Sequence, residues 1–443
     1  MHCRQKRLAI WMNGIPVGFW EKTRGEDRFQ YLSEWVADEQ GILLSLSLPF
    51  TVSNQLCRGD VVRNYFDNLL PDSENIRRRL AMRYRAGSLD PFDLLAELGR
   101  DCTGAIQLLT LGEEPADVFS VNYRPLSDTE VATIIRNTTV GLASRHEHVY
   151  EHRFCIAGAQ EKTALLWHKG KWCLPEGYTP TTHIFKLPLG LVGNMQADMS
   201  TSVENEWLCS LIFEHYGMPV AKTQIAQFED QKALIVERFD RAWSGDRQWI
   251  VRLPQEDMCQ ASGISPRRKY QSEGGPGVSD IMEILRHSEQ AKSDMERFFK
   301  AQILFWVMAA IDGHAKNFSI TLGAQNRYRL TPLYDVLSAW PVMGQKNSQI
   351  SWKKCKLAMA IRGSSNYYPL WKIQRRHWIH HGELTGLTKQ QVESMIDEII
   401  SRTPQVIERV SGLLPDSFPF ALVESVFQGM QRQCGRLAKN YRV

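Results

Sequence analysis

The stretch Ile311-Asp-Gly-His-Ala-Lys-Asn317 closes a long apolar run and is followed, after a hairpin pattern over Phe318 to Leu330, by Thr331-Pro-Leu-Tyr-Asp335. Two carboxylates and an amide thus fall on loops. Phosphoryl transfer needs a carboxylate beside the attacking hydroxyl and oxygen ligands for a magnesium ion that bridges the phosphates. A helix end followed by a hairpin brings such groups together, with Asp312 as the base and Asn317 and Asp335 as metal ligands. Each acid taken alone has a plainer explanation. Asp312-Gly313 would serve to end a buried helix, and Asp335 to cap the next element.

Earlier pieces of the chain extend the pattern. Ala157, Gly158, Ala159, Gln160, Glu161, Lys162 and Thr163 form a run whose small residues let an anion approach the main chain. Its single glycine fits neither a Walker loop nor the usual kinase glycine loop, and such a stretch taken alone is more often a hairpin turn. Lys186 lies in the apolar His183-Ile-Phe-Lys-Leu-Pro188, where an ammonium is costly to bury unless paired with an anion. A nucleotide phosphate would supply that anion; an edge-strand lysine reaching water is the alternative. Glu206, on the helix that follows, is a carboxylate in range of such a pairing, although helix acids are mostly solvated. Glu237, Arg238 and Phe239, within Val236 to Arg241, close the strand-rich half and offer backbone on which adenine would hydrogen-bond. Phosphate loop, lysine strand, helix, connector, base and metal residues occur in the order of a kinase.

The bulk properties permit this and exclude other classes. At 443 residues the chain holds two or three packed units. Its hydrophobic fraction of 43% and charged fraction of 23% are those of a folded globular protein, not a disordered or fibrous one. The longest apolar stretch, Ile303 to Ile311, falls far short of the roughly 20 residues that cross a bilayer. The first ten residues lack the apolar core of a signal peptide, so a cytoplasmic location is expected. Nine scattered cysteines, none at CxxC spacing, indicate neither a disulfide framework nor a zinc site. A net charge of +4 does not by itself imply nucleic-acid binding.

The predicted fold class is α+β: a two-lobed, protein-kinase-like fold preceded by a small mixed α+β N-terminal domain. Residues 1–149 form that domain and its connection, 150–240 a strand-rich lobe, and 241–443 a helical lobe. Leu8 to Trp11, Asn13-Gly14 and Pro16 to Trp20 read as a hairpin. A helix is predicted from about Asp60 to the stop at Pro71-Asp72. Gly112 to Glu151 reads as a connection with a short helix over Asp128 to Arg136. Ala164 to Trp167, the Lys169-Gly170-Lys171 turn and Thr182 to Leu187 predict a small antiparallel sheet, Glu204 to Tyr216 a helix, and Ala233 to Phe239 a strand. The clearest helix is predicted from a capping box at Ser293 and Glu296 through Phe298 and Phe299 to Ile311.

These residues resemble the HipA family of bacterial serine/threonine-kinase toxins over most of the chain. The N-terminal half carries Ser45-Leu-Ser-Leu-Pro49, Phe66-Asp-Asn-Leu-Leu-Pro-Asp72 and Gly99-Arg-Asp101. The C-terminal half carries AGAQEKTALL from Ala157, TTHIFK from Thr181, VERFDR from Val236, LPQEDMCQ from Leu253, GGPG from Gly274, DGHAKNFS from Asp312 and LTPLYD from Leu330. The resemblance implies a kinase that binds ATP and Mg²⁺ between two lobes, phosphorylates glutamyl-tRNA synthetase and halts growth. It also implies a HipB-like helix-turn-helix antitoxin as partner, and operator DNA bound through the complex. Lys186 and residues 157–163 would then bind phosphates, Glu237 to Phe239 adenine, and Asn317 and Asp335 magnesium. Asp312 would be the base, with His314 and Lys316 lining the same loop. Lys372, Arg375 and Arg376 form a local cluster of the sign DNA requires, which a solvated helix face also explains. One departure stands out: where the family carries an autophosphorylated serine before the phosphate loop, this sequence has Cys155. A thiol is no acceptor for such kinases, so that off-switch is expected to be missing. Two other readings remain: a catalytically weak corepressor acting with the antitoxin, and a small-molecule kinase of similar fold.

Overall fold

Asn13 and Gly14 both adopt left-handed backbone, with φ of 48° and 83°. That conformation suits a tight hairpin turn, and it joins strands Lys6–Met12 and Ile15–Lys22. They belong to a five-stranded antiparallel sheet ordered Cys57–Arg58, Asp27–Tyr31, Ile15–Lys22, Lys6–Met12, Ile106–Thr110. Its inner face buries Trp20, which stacks on Phe66 of helix Asp60–Asp67 with ring centroids 4.0 Å apart. The computed structural model describes residues 6–139, 155–158, 160–193 and 196–439. Two compact units result, one of Met1–Leu187, Ala226–Arg267 and Ser319–Tyr328, the other of Pro188–Ile225, Arg268–Phe318 and Arg329–Val443. The domain boundary predicted near residue 150 lies outside the described residues.

A six-stranded sheet completes the strand-rich part, in the order Thr223–Phe228, Gln231–Glu237, His183–Lys186, Lys162–His168, Lys171–Pro175, Tyr123–Pro125. The segment predicted as a connection with a short helix therefore contributes an edge strand. It also contributes helix Asp128–Thr139, whose Val131 and Ile135 pack with Leu165, Phe185, Ala233 and Ile235. Lys186 pairs with Leu234 on one side and Lys162 on the other. It sits on an interior strand and is 4% exposed, so the edge-strand alternative is excluded.

Polar motifs in the first unit pair off with one another. The Ser45 hydroxyl lies 2.5 Å from the Glu256 carboxyl, and the Leu46 N–H donates to its other oxygen at 2.8 Å. The Ser47 hydroxyl donates to the Gln260 carbonyl. The Asn64 and Asn68 amides donate to the carbonyls of Gly263 and Ile264. Asp101 accepts from the Thr181 N–H and hydroxyl and from Arg241 at 2.9 Å. Asp240 takes Arg238 at 2.7 Å and the Gly104 N–H at 2.7 Å. Arg252 lies 3.4 Å from Asp101. These three guanidiniums and two carboxylates are all buried. Burial alone would push the Asp240 carboxyl up, but Arg238 and Arg241 hold it below its usual range. Removing one partner would strand a charge in the interior, a loss of about 3–5 kcal/mol.

The second unit is mainly helical, with helices Ser202–His215, Ala291–Val307, Arg375–Leu384, Lys389–Ser411 and Phe420–Ala438. Glu206, expected at a solvated face, is buried along with Glu204 and Asn205. The long central helix begins at Ala291 and ends at Val307, with Gln290 at the N-cap and no side-chain cap there. Ser293 points to solvent rather than capping. Asp294 is the anchoring residue of that first turn, accepting from the Ser288 hydroxyl at 2.9 Å and the Leu330 N–H at 3.0 Å. No described helix is long and apolar enough to cross a membrane.

Glu256 makes the fold sensitive to pH. Burial pushes its carboxyl up to about 8, whereas an unfolded glutamate loses its proton near 4.3. The folded chain therefore holds a proton that the unfolded chain releases, and stability falls as pH rises through that window, by roughly 1.4 kcal/mol per unit. Urea unfolding between about pH 5.5 and 7.5 should show this slope in the wild type and a flatter one in Glu256→Gln. Equal slopes would refute the assignment.

Candidate phosphotransfer site

The Ala291–Val307 helix ends on Ala309, whose φ is 49°. The Ala309 N–H donates to Trp306 O and the Ala310 N–H to Phe305 O at 2.8 Å, the hydrogen-bond pair of a Schellman motif with alanine in the place usually held by glycine. The helix was predicted to run on to Ile311. It stops earlier because the Trp306 and Phe305 carbonyls are turned over to these N–H groups, which puts Asp312 on a loop. Three carbonyls at this end are then satisfied from one later segment. Trp340 Nε1 donates to Val307 O at 3.1 Å, the Ser338 hydroxyl to Met308 O at 2.6 Å, and the Ala339 N–H to Ala309 O at 3.0 Å. Asn205 locks Ser338 in both directions, accepting from its N–H at 2.9 Å and donating to its carbonyl at 2.8 Å. A Cβ at Gly429 would overlap the Trp340 indole, so helix Phe420–Ala438 needs glycine to seat that ring.

The loop itself is wound tightly. The His314 N–H and the Asn317 amide both donate to Asp312 O at 2.8 Å, and the Asn317 N–H donates to His314 O at 2.9 Å. Gly313 lies where a Cβ would enter the Phe305 ring, which explains the Asp-Gly pair. The Asp312 side chain is exposed, while His314, Lys316 and Asn317 are buried. His314 Nε2 is 3.9 Å from the Asp312 carboxylate. On the other side, the Leu330–Asp335 stretch is pinned at its start by Asp294 and by Arg297, which donates to Thr331 O at 3.2 Å. Leu333 exchanges hydrogen bonds with Pro219 and Ala221. The Tyr334 hydroxyl donates to Lys316 O at 2.9 Å, tying the two loops together. Asp335 follows in left-handed backbone, φ 56°, a conformation in which asparagine, aspartate and histidine are the enriched exceptions to glycine. Sequence reasoning missed two participants. Ser338 is one. The other is Tyr270, whose hydroxyl donates to the Asp312 carboxylate and whose ring meets His314 edge-on at 5.0 Å.

In the first unit, the loop predicted to hold phosphate is bound to earlier motifs. Gly158, φ 114°, bridges to Pro71, and the Asp72 N–H donates to its carbonyl at 3.0 Å. Lys162 turns its ammonium back onto Ala157 O at 2.5 Å. Gln160 donates to Leu187 O at 2.5 Å, and Glu161 is ion-paired with Arg79. Thr163 is buried, and Ala159 lies outside the described residues. Glu237 ends its strand with an exposed side chain. Arg238, whose backbone was expected to face adenine, has its side chain committed inside the protein. Its guanidinium is spent on Asp240, Asp101 and Thr181, and its N–H donates to Thr182 O. Lys372 extends toward the Trp371 ring, and Arg375 pairs with Asp397 at 2.7 Å, so neither is a bare cation.

Comparison with known proteins decides the ancestry. The HipA N-terminal domain profile matches residues 8–109, and that of the HipA-like C-terminal domain matches residues 154–407, more than half the chain. The chain belongs to the HipA family. It is 31% identical over 425 residues to Y4mE of Sinorhizobium fredii, which carries a kinase name, covering 93% of this chain and 94% of that one. It is 27% identical over 424 residues to the serine/threonine-protein kinase toxin HipA of Shewanella oneidensis, covering 92% and 90%. The fold matches a Shewanella oneidensis structure of HipA with HipB and operator DNA at TM-score 0.79 and 22% identity, covering 97% of each chain. The α+β, kinase-like HipA fold is thereby shown.

Two residues of these loops carry the donor types that a magnesium ion accepts. Asn317 and Asp335 offer hard oxygen donors on loops joined through Tyr334, and the Asn317 amide nitrogen is already spent on Asp312 O. No cluster of three or more His, Cys, Asp or Glu occurs among the described residues. Magnesium needs none, because it commonly takes one or two carboxylates and draws its other ligands from water and phosphate. Cys155 is buried, its thiol donating to Leu69 O at 3.0 Å and its N–H to Asp101 O. It therefore packs as a core residue ahead of the loop. Because Ser338 satisfies a buried carbonyl and is itself held by Asn205, Ser338→Ala should lower stability by about 1–3 kcal/mol. Thermal or urea unfolding would show it, and an unchanged midpoint would rule this anchoring out.

Proposed function

We propose that this protein is an ATP- and Mg²⁺-dependent serine/threonine-protein kinase, the toxin of a toxin–antitoxin pair acting in the cytoplasm. The observation that carries this reading is the joining of the Asp312–Asn317 loop to the Asp335 segment. Tyr334 donates to Lys316 O, and Ser338, Ala339 and Trp340 donate to the helix end, which supports a base candidate and two oxygen donors acting together. Asp312, exposed and on a loop, accepts the proton of an incoming serine or threonine hydroxyl as that oxygen attacks. His314 and Lys316 border the same loop. Asn317 and Asp335 hold the ion, which when bound draws charge off the phosphate oxygens. Gly158 to Thr163 and Lys186 bind phosphates, and the backbone at Glu237 and Phe239 takes the adenine. The acceptor is a protein of the translation machinery, glutamyl-tRNA synthetase being the first to test. A HipB-like antitoxin is the partner, and operator DNA is bound through that complex. Family membership and the Shewanella oneidensis relatives support both.

Mg-dependent ATP binding and phosphate transfer to glutamyl-tRNA synthetase test this directly. Asp312→Ala should reduce transfer by about 10²–10⁴-fold while nucleotide binding survives. Asp335→Ala should remove the magnesium dependence of ATP binding. A chain that acts only as a corepressor would show no Mg-dependent turnover for Asp312→Ala to remove, and that result would overturn the kinase reading.

A further inference from the structure

We propose that Tyr270 is a positioning residue for the base, and that the Gly274-Gly275-Pro276-Gly277 segment exists to hold it there. The inference rests on the phosphotransferase reading, and it accounts for a motif that reading leaves without a role. Asp312 is an exposed carboxylate on a loop, so its own backbone does not fix which oxygen faces an acceptor. The Tyr270 hydroxyl donates to Oδ1. That contact stops rotation of the carboxylate and leaves Oδ2 as the oxygen that meets the incoming hydroxyl. A base held in one orientation reacts faster than one that samples many.

The surroundings of Tyr270 are built to keep it in place. Its carbonyl accepts from both Glu273 N–H and Gly275 N–H at 3.0 Å. Gly274 supplies the left-handed turn, φ 91°. A Cβ at Gly275 would fall on the Arg268 carbonyl oxygen, and one at Gly277 would fall on the Gln271 amide. The space left at Gly277 lets Gln271 accept from the Ala360 N–H at 2.6 Å. On the other flank, Lys269 O accepts from the Ala315 N–H at 3.3 Å, which joins the segment to the loop carrying Asp312. Tyr270 is thus anchored on both sides, one anchor being the loop whose carboxylate it orients. Gly274 is required by its backbone conformation and Gly275 and Gly277 by close approach, and the phenol is the group their folding delivers.

Steady-state ADP release by the full chain, with Mg-ATP and glutamyl-tRNA synthetase as acceptor, tests the assignment. Asp312→Asn sets the floor. Tyr270→Phe keeps the ring against His314 and removes only the donor. It should lower kcat about ten- to a hundredfold with the KM for ATP within about twofold of wild type. Placing p-aminophenylalanine at position 270 restores a donor at the ring end and should recover most of the lost rate, which a purely structural role would not require. Three results would each overturn the assignment while leaving the kinase reading intact: wild-type kcat in Tyr270→Phe, a loss expressed in the KM for ATP alone, or phosphate found on Tyr270 after incubation with ATP. Failure of the amino analogue to recover the rate would do the same. Wild-type turnover in Asp312→Asn, or none in the wild type, would overturn both.

Discussion

The carbonyls of Val307, Met308 and Ala309 have no partners inside their own helix, and the 338–340 segment supplies all three. A helix end leaves such groups unsatisfied, and when buried they must be met from elsewhere. Here the donors come from a stretch just after Asp335, so satisfying the helix end fixes where the second acidic loop lies. Ala309 accepts a left-handed backbone that costs an alanine roughly 1 kcal/mol, and in return the chain leaves the helix three residues before Asp312. The exposed Asp312 and the buried Asn317 both follow this one termination.

Much of this was legible in the residues. Asn13-Gly14 and Lys169-Gly170 announced their turns, and the structure gives all four left-handed backbone. The strands around Lys186 and the helix ahead of Gly217 were readable from alternation and stop signals. What was misread had competing local signals. Ser293 and Glu296 have capping-box spacing, but the helix starts earlier, at Ala291, and buried Asp294 takes the anchoring role. The segment after Gly112 looked like a linker because its prolines and polar runs suit an edge strand as well as a loop.

The candidate site was legible as a list of residues and not as a mechanism. Asp312, Asn317 and Asp335 could be named because their types suit the chemistry. Arg238 could not be told from its neighbours Glu237 and Phe239. Its commitment to Asp101 and Asp240 depends on partners over a hundred positions away in one case. Tyr270 was invisible for the same reason, since nothing local links a tyrosine to an aspartate 42 residues on. The double glycine behind it was a signal of close backbone packing, and only coordinates say what is packed.

The seating of Ser45 and Leu46 on Glu256, and of Asp101 among Arg238, Arg241 and Arg252, has a consequence for how such chains diversify. Neither the first hundred residues nor the later strands carry a self-sufficient set of polar partners. A chimera joining the opening portion of one relative to the remainder of another would inherit mismatched charges in a dry interior. Exchange at that junction is thus closed unless both sides of each pairing travel together.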